Sequence, residues 1–173
     1  MRAPHIVLLA LGALTAAIAG CGASSRSSDR HAEAQNRTLD ETRALMLIDE
    51  VLTEQGIPRN AAWVVPIRHG QELEVDVRLA QSHFGIEWMS PQDRADLGDA
   101  VPGPTTTGNL RIVPGFGDGH TEDQILILEH STYDFVNERE SVQAGRAGAR
   151  ETEERLRRDV LDFIHYVQGQ GGL

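Results

Sequence analysis

The chain contains no lysine, so all 16 of its basic residues are arginines, and they face 26 acidic residues. The missing amine excludes Schiff-base chemistry, lysine general bases and Walker-type phosphate loops. The formal net charge is −10. Because binding to a phosphate backbone needs a basic surface, we expect no nucleic-acid partner.

Cysteine and long apolar runs are equally scarce. Cys21 is the sole cysteine, which excludes a disulfide within the chain and any cysteine-based metal cluster. The apolar run 6–19 is shorter than the roughly 20 residues that a membrane-spanning helix needs. It follows Arg2 and ends in small residues, which is the layout of a secretory signal.

The most informative motif lies at the C-terminal end of this apolar run. Ile18-Ala19-Gly20-Cys21 resembles the lipobox of bacterial lipoproteins, in which an aliphatic residue and two small residues precede the cysteine. The resemblance covers about the first 22 residues and extends to no part of the folded region. It implies a diacylglyceryl group on the Cys21 thiol, cleavage before Cys21, and an acyl chain such as palmitate on the new amino group. Two or three acyl chains anchor a protein stably, whereas one does not.

The same resemblance bears on localisation. Enteric lipoproteins that stay in the inner membrane tend to carry Asp after the cysteine, and this chain has Gly22 there, which implies the outer membrane. Ala17-Ile18-Ala19 offers an alternative, because it also suits an ordinary signal peptidase. Cleavage there would yield a soluble secreted or periplasmic protein.

The composition divides the chain into three parts. Residues 1–20 form the predicted signal peptide. Residues 21–37 are rich in Ser, Ala and Arg, so we predict a lipidated N-terminus and a flexible tether that spans roughly 20–25 Å. Residues 38–173 are long enough for one hydrophobic core and are predicted to form a single domain.

Two amphipathic helices are predicted, at 39–55 and at about 149–168. Thr38 and Glu41 have the spacing of a capping box for the first helix. Three Glu–Arg pairs at i,i+4, among them Glu151 and Arg155, favour the second.

The strands are predicted from alternation. Residues 72–80 alternate apolar and charged side chains and should form a hairpin with 84–89, after which Ser90 and Pro91 begin a short helix. A short strand at 110–113 and a central strand at 124–130 follow. The predicted fold is α+β, with a small, mostly antiparallel sheet of about four strands packed by the two helices.

The loop 115–123 holds the first group of candidate metal ligands. Carboxylate and imidazole groups between glycines can surround a cation, but the spacing is not that of an EF-hand, and the expected structure is a solvated turn that joins two strands. The candidates are Asp118, His120, Glu122 and Asp123.

Carboxylates on the strands form a second group of candidates. Asp76, Glu87 and Glu129 are placed where a sheet face could hold a hydrolytic metal. The expected structure is instead an exposed, charged sheet face. Trp63 is expected to close the core, with an exposed anchor for a partner as the alternative.

The functional hypothesis follows from these observations. No G-x-S-x-G or H-E-x-x-H motif is present, so we assign no catalytic residue and no cofactor. We expect an envelope lipoprotein with a non-catalytic binding domain and an envelope protein as its possible partner. The alternatives are a metal-dependent hydrolase acting on an envelope polymer, with Asp76, Glu87, Asp118, His120 and Asp123 as its suspects, and a cation or small-ligand binding module.

Overall fold

The computed structural model describes residues 37–104, 109–137, 141 and 146–173. The α-helices in these residues are α1 Glu41–Glu54, α2 Pro91–Leu97 and α3 Ala149–Gly169. The strands are β1 Arg37–Thr38, β2 Arg59–Asn60, β3 Trp63–Pro66, β4 Glu72–Val75, β5 Val77–Leu79, β6 Phe84–Met89, β7 Ile112–Pro114, β8 Gln124–Glu129 and β9 Asp134–Phe135. Cys21 and the predicted signal and tether up to residue 36 lie outside the described residues. None of the described helices is long and apolar enough to cross a membrane.

Both predicted amphipathic helices are confirmed, but α1 begins differently from the prediction. Its N-cap is Asp40, whose side chain accepts a hydrogen bond from the Arg43 amide at 2.9 Å. Thr38 lies in β1 instead, where its hydroxyl donates to Asp134 at 2.6 Å. The predicted capping box of Thr38 is therefore wrong, because pairing of β1 with β9 takes this residue into a strand.

The arginines of α3 also differ from the prediction. Glu153 forms a bidentate pair with Arg43 of α1, at 2.8 and 2.7 Å, rather than a pair along its own helix. Arg155 donates to the carbonyl of Thr132 rather than pairing with Glu151. Contacts to neighbouring elements thus replace the predicted i,i+4 pairs of Glu151 and Glu153, each of which would contribute only about 0.2–0.5 kcal/mol.

The main sheet has the order β2-β5-β6-β8-β7 in the described part of the chain. The predicted hairpin is confirmed, since β5 and β6 pair antiparallel with Val77 opposite Ile86. β6 and β8 run parallel, with Ile86 opposite Leu126, and the other neighbours in this sheet are antiparallel. The fold is therefore α+β with a small, mostly antiparallel sheet.

The long predicted strand 72–80 is interrupted at Asp76. Residues before Asp76 form β4 and pair with β3, whereas residues after it form β5 and pair with β6. The buried–exposed alternation continues through the break. Two separate β-pairings are thereby built from one alternating segment, and the β3–β4 hairpin forms its own two-stranded sheet.

The two faces of the sheet belong to two hydrophobic clusters. One face carries Ile86 and Leu126 and packs with the apolar stripes of α1 and α3. The second cluster contains Val65 and Leu73 from the β3–β4 hairpin, together with Met89, Ile125 and Ile127 of the main sheet. The expectation of an exposed, charged second face is wrong, because the hairpin and the segment after α2 cover it.

Trp63 packs against this second cluster and is partly buried, as expected for a residue that closes a core. Its indole lies where a side chain on Gly85 would be: a Cβ there would come within 2.3 Å of the ring and within 2.8 Å of Val75. The guanidinium of Arg78 stacks over the ring at 5.1 Å. Trp63 can therefore pack against β6 only because Gly85 has no side chain.

Candidate functional site

The predicted metal loop folds around Asp123, which is almost fully buried. Its carboxylate contacts two imidazoles, with Oδ1 2.9 Å from Nδ1 of His83 and Oδ2 2.7 Å from Nδ1 of His120. Asp118 is exposed, and Glu122 reaches only to 3.5 Å from His83 with a largely exposed side chain. Within the residues described, no three His, Cys, Asp or Glu side chains form a group that could hold a metal.

This loop therefore brings together His120 and Asp123 but leaves Asp118 apart. His83 is the partner that sequence reasoning missed, because it lies 40 residues away from Asp123. Gln124 links the same two segments, since its amide donates to the carbonyl of His83 at 2.8 Å. The imidazole–carboxylate–imidazole arrangement fixes the loop to the beginning of β6.

The strand carboxylates Asp76 and Glu87 form a buried pair at the break between β4 and β5. The amide of Asp76 donates to Glu87 Oε2 at 3.1 Å, and the amide of Trp88 donates to Asp76 Oδ2 at 2.8 Å. The two side chains also share a hydrogen bond. Glu87 is only 4% exposed, so the expectation that it faces solvent is wrong.

Burial and a neighbouring negative charge control the protonation of this pair. Burial, followed by the charge of Asp76, raises the pKa of Glu87 to about 10. Burial also raises the pKa of Asp76, although the Trp88 amide and the Glu87 side chain oppose this effect. Glu87 therefore keeps its proton at neutral pH, and in this form it can share a hydrogen bond with Asp76.

Glu129, the third strand carboxylate, is buried between two arginines and is also not exposed as expected. Arg94 Nε donates to Glu129 Oε1 at 3.1 Å and its Nη2 donates to Oε2, to which Arg111 Nη2 donates at 3.0 Å. Burial alone would raise the pKa of Glu129, but the two guanidiniums outweigh it and hold the pKa below its ordinary value. One carboxylate thus faces two guanidiniums, so these three side chains together carry one positive charge.

A cleft of about 390 Å³ lies beside this cluster, between β8, the residues just before β7, and α3. This volume falls in the range of roughly 300–1,000 Å³ that is typical of small-molecule sites. Three leucines supply an apolar wall: Leu110, Leu126 and Leu128. Arg111 and Glu129 also line the cleft and contribute charged side chains.

The remaining polar lining comes from α3 and from the 3₁₀ turn His130–Tyr133. The Tyr133 hydroxyl donates to Asp159 Oδ2 at 2.7 Å, and burial followed by the charge of Asp159 raises the pKa of this tyrosine. The guanidinium of Arg155 lies 5.5 Å from the centre of the Tyr133 ring and donates to the carbonyl of Thr132. An arginine, a carboxylate and a phenol therefore line the same cleft.

Of the residues that line the cleft, sequence reasoning named only Glu129 as a candidate site residue, and its other candidates lie elsewhere. Tyr133 follows His130 in a polar segment, and Arg155 has the pattern of an exposed helix residue. Comparison with protein-family models, with curated proteins and with solved structures gave no match.

Proposed function

We propose that the protein is a lipoprotein anchored through Cys21 to the outer membrane of a bacterial envelope, and that its folded domain is a non-catalytic binding domain. The tetrapeptide Ile18-Ala19-Gly20-Cys21 supports the anchor. Acylation would also explain a single cysteine in an exported chain, because a free thiol is a liability in an oxidising compartment. A tether of Ser, Ala and Arg residues separates this cysteine from the first described strand.

The observation that carries the binding function is the cleft beside Glu129. It combines a volume of about 390 Å³ with an apolar wall and a small number of charged groups, which is the usual composition of a small-molecule site. Helix α3 supplies two of these groups, Arg155 and Asp159, from a rigid element of the fold. A ligand held there would be presented to the envelope at the distance that the tether allows.

The alternative of a metal-dependent hydrolase receives less support from the geometry. Its suspects Asp76 and Glu87 lie together, but His83, which contacts the 118–123 loop, is four residues from Glu87 along the chain. Four residues of strand correspond to roughly 13 Å. Neither Asp76 nor Glu87 lines the cleft, so the suspects do not converge on one pocket.

The anchor is tested by intact mass spectrometry combined with membrane fractionation. We expect the native protein to gain the mass of acyl chains and to remain with the membrane, and Cys21→Ala to lose both properties. Ser24→Ala, in the same tether, is the matched control and should behave like the native protein. An unmodified, freely soluble chain that begins at Gly20 would contradict the anchor and support ordinary signal cleavage.

A further inference from the structure

The cleft contains one arginine whose charge is not matched by a direct ion pair. Arg155 donates to a backbone carbonyl of Thr132 and stacks near the Tyr133 ring, and its buried Nε has no hydrogen-bond partner in the described part of the chain. Arg111, by contrast, already contacts Glu129 at 3.0 Å. A buried N–H group without an acceptor is unfavourable, so an additional acceptor beside Arg155 would stabilise this arrangement.

A carboxylate lies one helical turn away but does not neutralise Arg155 by contact. Asp159 is four residues further along α3, a spacing at which Cβ atoms lie about 5–6 Å apart and opposite charges commonly pair. Asp159 instead accepts a hydrogen bond from the hydroxyl of Tyr133 at 2.7 Å, and Arg155 instead donates one to the carbonyl of Thr132. Burial raises the pKa of Asp159. The hydrogen bond from Tyr133 and the charge of Arg155 lower it, but by less.

The geometry therefore presents one cation and one anion, held apart by other partners, on the lining of one cleft. A ligand that carries both charges on neighbouring atoms can satisfy both groups at once. A free α-amino acid does so, because its ammonium and carboxylate groups are attached to the same carbon. Arginine binds carboxylates well through its parallel N–H donors.

We propose that the cleft binds a free α-amino acid with an apolar side chain. Its carboxylate contacts Arg155, its ammonium group contacts Asp159, and its side chain lies against the wall of Leu110, Leu126 and Leu128. This inference rests on the proposed binding function of the domain and is independent of the lipid anchor. It names the ligand class that the binding site recognises.

The test is isothermal titration calorimetry on the full, membrane-extracted protein in detergent, with three matched probes. L-phenylalanine carries both charges, N-acetyl-L-phenylalanine lacks the ammonium group, and L-phenylalanine amide lacks the carboxylate. We expect L-phenylalanine to bind, and each of the other two to bind about tenfold more weakly or worse, since a charged hydrogen bond is lost in each case. This comparison needs no variant and therefore does not depend on the folding of one.

Two variants assign each charge to its partner. Arg155→Gln should weaken L-phenylalanine binding about tenfold, and Asp159→Asn should do the same while leaving N-acetyl-L-phenylalanine unaffected or bound more tightly. The matched controls on the same helix are Arg158→Gln and Asp162→Asn, because both residues are exposed and neither lines the cleft. Circular dichroism establishes that each variant is folded.

The outcomes separate this inference from the proposed function. Equal binding of L-phenylalanine and its N-acetyl derivative would show a carboxylate site, which overturns the amino-acid inference but retains the binding domain. Binding that is unchanged in both cleft variants would place the ligand elsewhere and would also overturn it. If none of the three probes binds, the inference is wrong, while the anchor retains its own independent test with Cys21→Ala.

Discussion

The proton on Glu87 should make the domain less stable as the pH rises, which is opposite to the usual effect of a carboxyl group. The carboxyl is 4% exposed and lies against Asp76, with Asp93 also contributing a negative charge. The variant Glu87→Gln keeps a carbonyl oxygen for the Asp76 amide and offers an N–H donor to the Asp76 carboxylate. The amide cannot ionise, so the variant removes the titration and preserves the hydrogen bonds.

The expected magnitude follows from the pKa difference between the unfolded and folded states. The pKa of Glu87 rises from an ordinary 4.5 to about 10, so the folded state holds a proton that the unfolded state releases. Its contribution is fully present below about pH 4.5 and is lost as the pH rises toward 10, at about 1.4 kcal/mol per pH unit. At pH 7 the native protein should therefore have lost roughly 3 kcal/mol that Glu87→Gln retains.

Urea denaturation at pH 5, 7 and 8.5, followed by tryptophan fluorescence, measures this difference. We predict that the free energy of unfolding of Glu87→Gln relative to the native protein increases with pH across this series. The matched control is Glu74→Gln, since Glu74 is exposed on the adjacent strand β4. A difference between Glu87→Gln and the native protein that is the same at all three pH values would refute the assignment of the proton to Glu87.

Two further predictions concern packing and buried charge. Gly85→Ala places a Cβ within 2.3 Å of the Trp63 ring and should lower the free energy of unfolding by about 1–3 kcal/mol, whereas Gly103→Ala, which meets nothing within 4 Å, should leave it unchanged. Equal urea midpoints for the two variants would contradict this. Glu129→Gln leaves the partly buried guanidiniums of Arg94 and Arg111 without their counter-ion and should cost about 3 kcal/mol in urea denaturation. Because the folded pKa of Glu129 is lowered, the native protein should lose this stabilisation as the pH falls below 4.5, whereas the variant should not.

The helices could be predicted because their burial follows from local periodicity. Leu156, Val160, Phe163, Ile164 and Val167 recur at helical spacing, and the structure buries all five. Such a stripe must pack on the core wherever the helix lies, so no knowledge of its partner is needed. The strand alternation in residues 72–79 identified buried side chains for the same reason.

The burial of Glu87 could not be predicted from its neighbours. Alternation shows which side chains of a strand share a face, but it does not show what covers the opposite face. Here the covering segment is the β3–β4 hairpin, which is formed because the chain breaks at Asp76 and pairs separately on each side. A charged residue within a strand normally indicates a solvent-exposed side chain. Glu87 can be buried because its carboxyl group keeps a proton and is hydrogen-bonded to Asp76.

The cleft was beyond sequence reasoning because its polar groups come from distant segments. Tyr133 and Arg155 belong to a 3₁₀ turn and to a helix that are separated in sequence by residues with no clear pattern. Arg155 has the spacing of a surface ion pair with Glu151, and nothing local indicates that it turns toward Thr132 instead. The excess of carboxylates in the whole chain also gives no indication that two arginines, Arg111 and Arg155, line one cleft.

The contrast between the acidic chain and the balanced charges of the cleft lining bears on which ligand the cleft can accept. The formal net charge of the chain is −10, so a simple anion approaches a predominantly negative surface. At physiological ionic strength this repulsion is screened beyond roughly 8 Å, but it acts on any anion close to the surface. A zwitterion carries no net charge and is not repelled, yet inside the cleft its carboxylate contacts Arg155 and its ammonium group offsets the charge of Asp159. The acidic surface and the paired charges of the cleft therefore favour the same ligand, an amino acid rather than a simple organic acid.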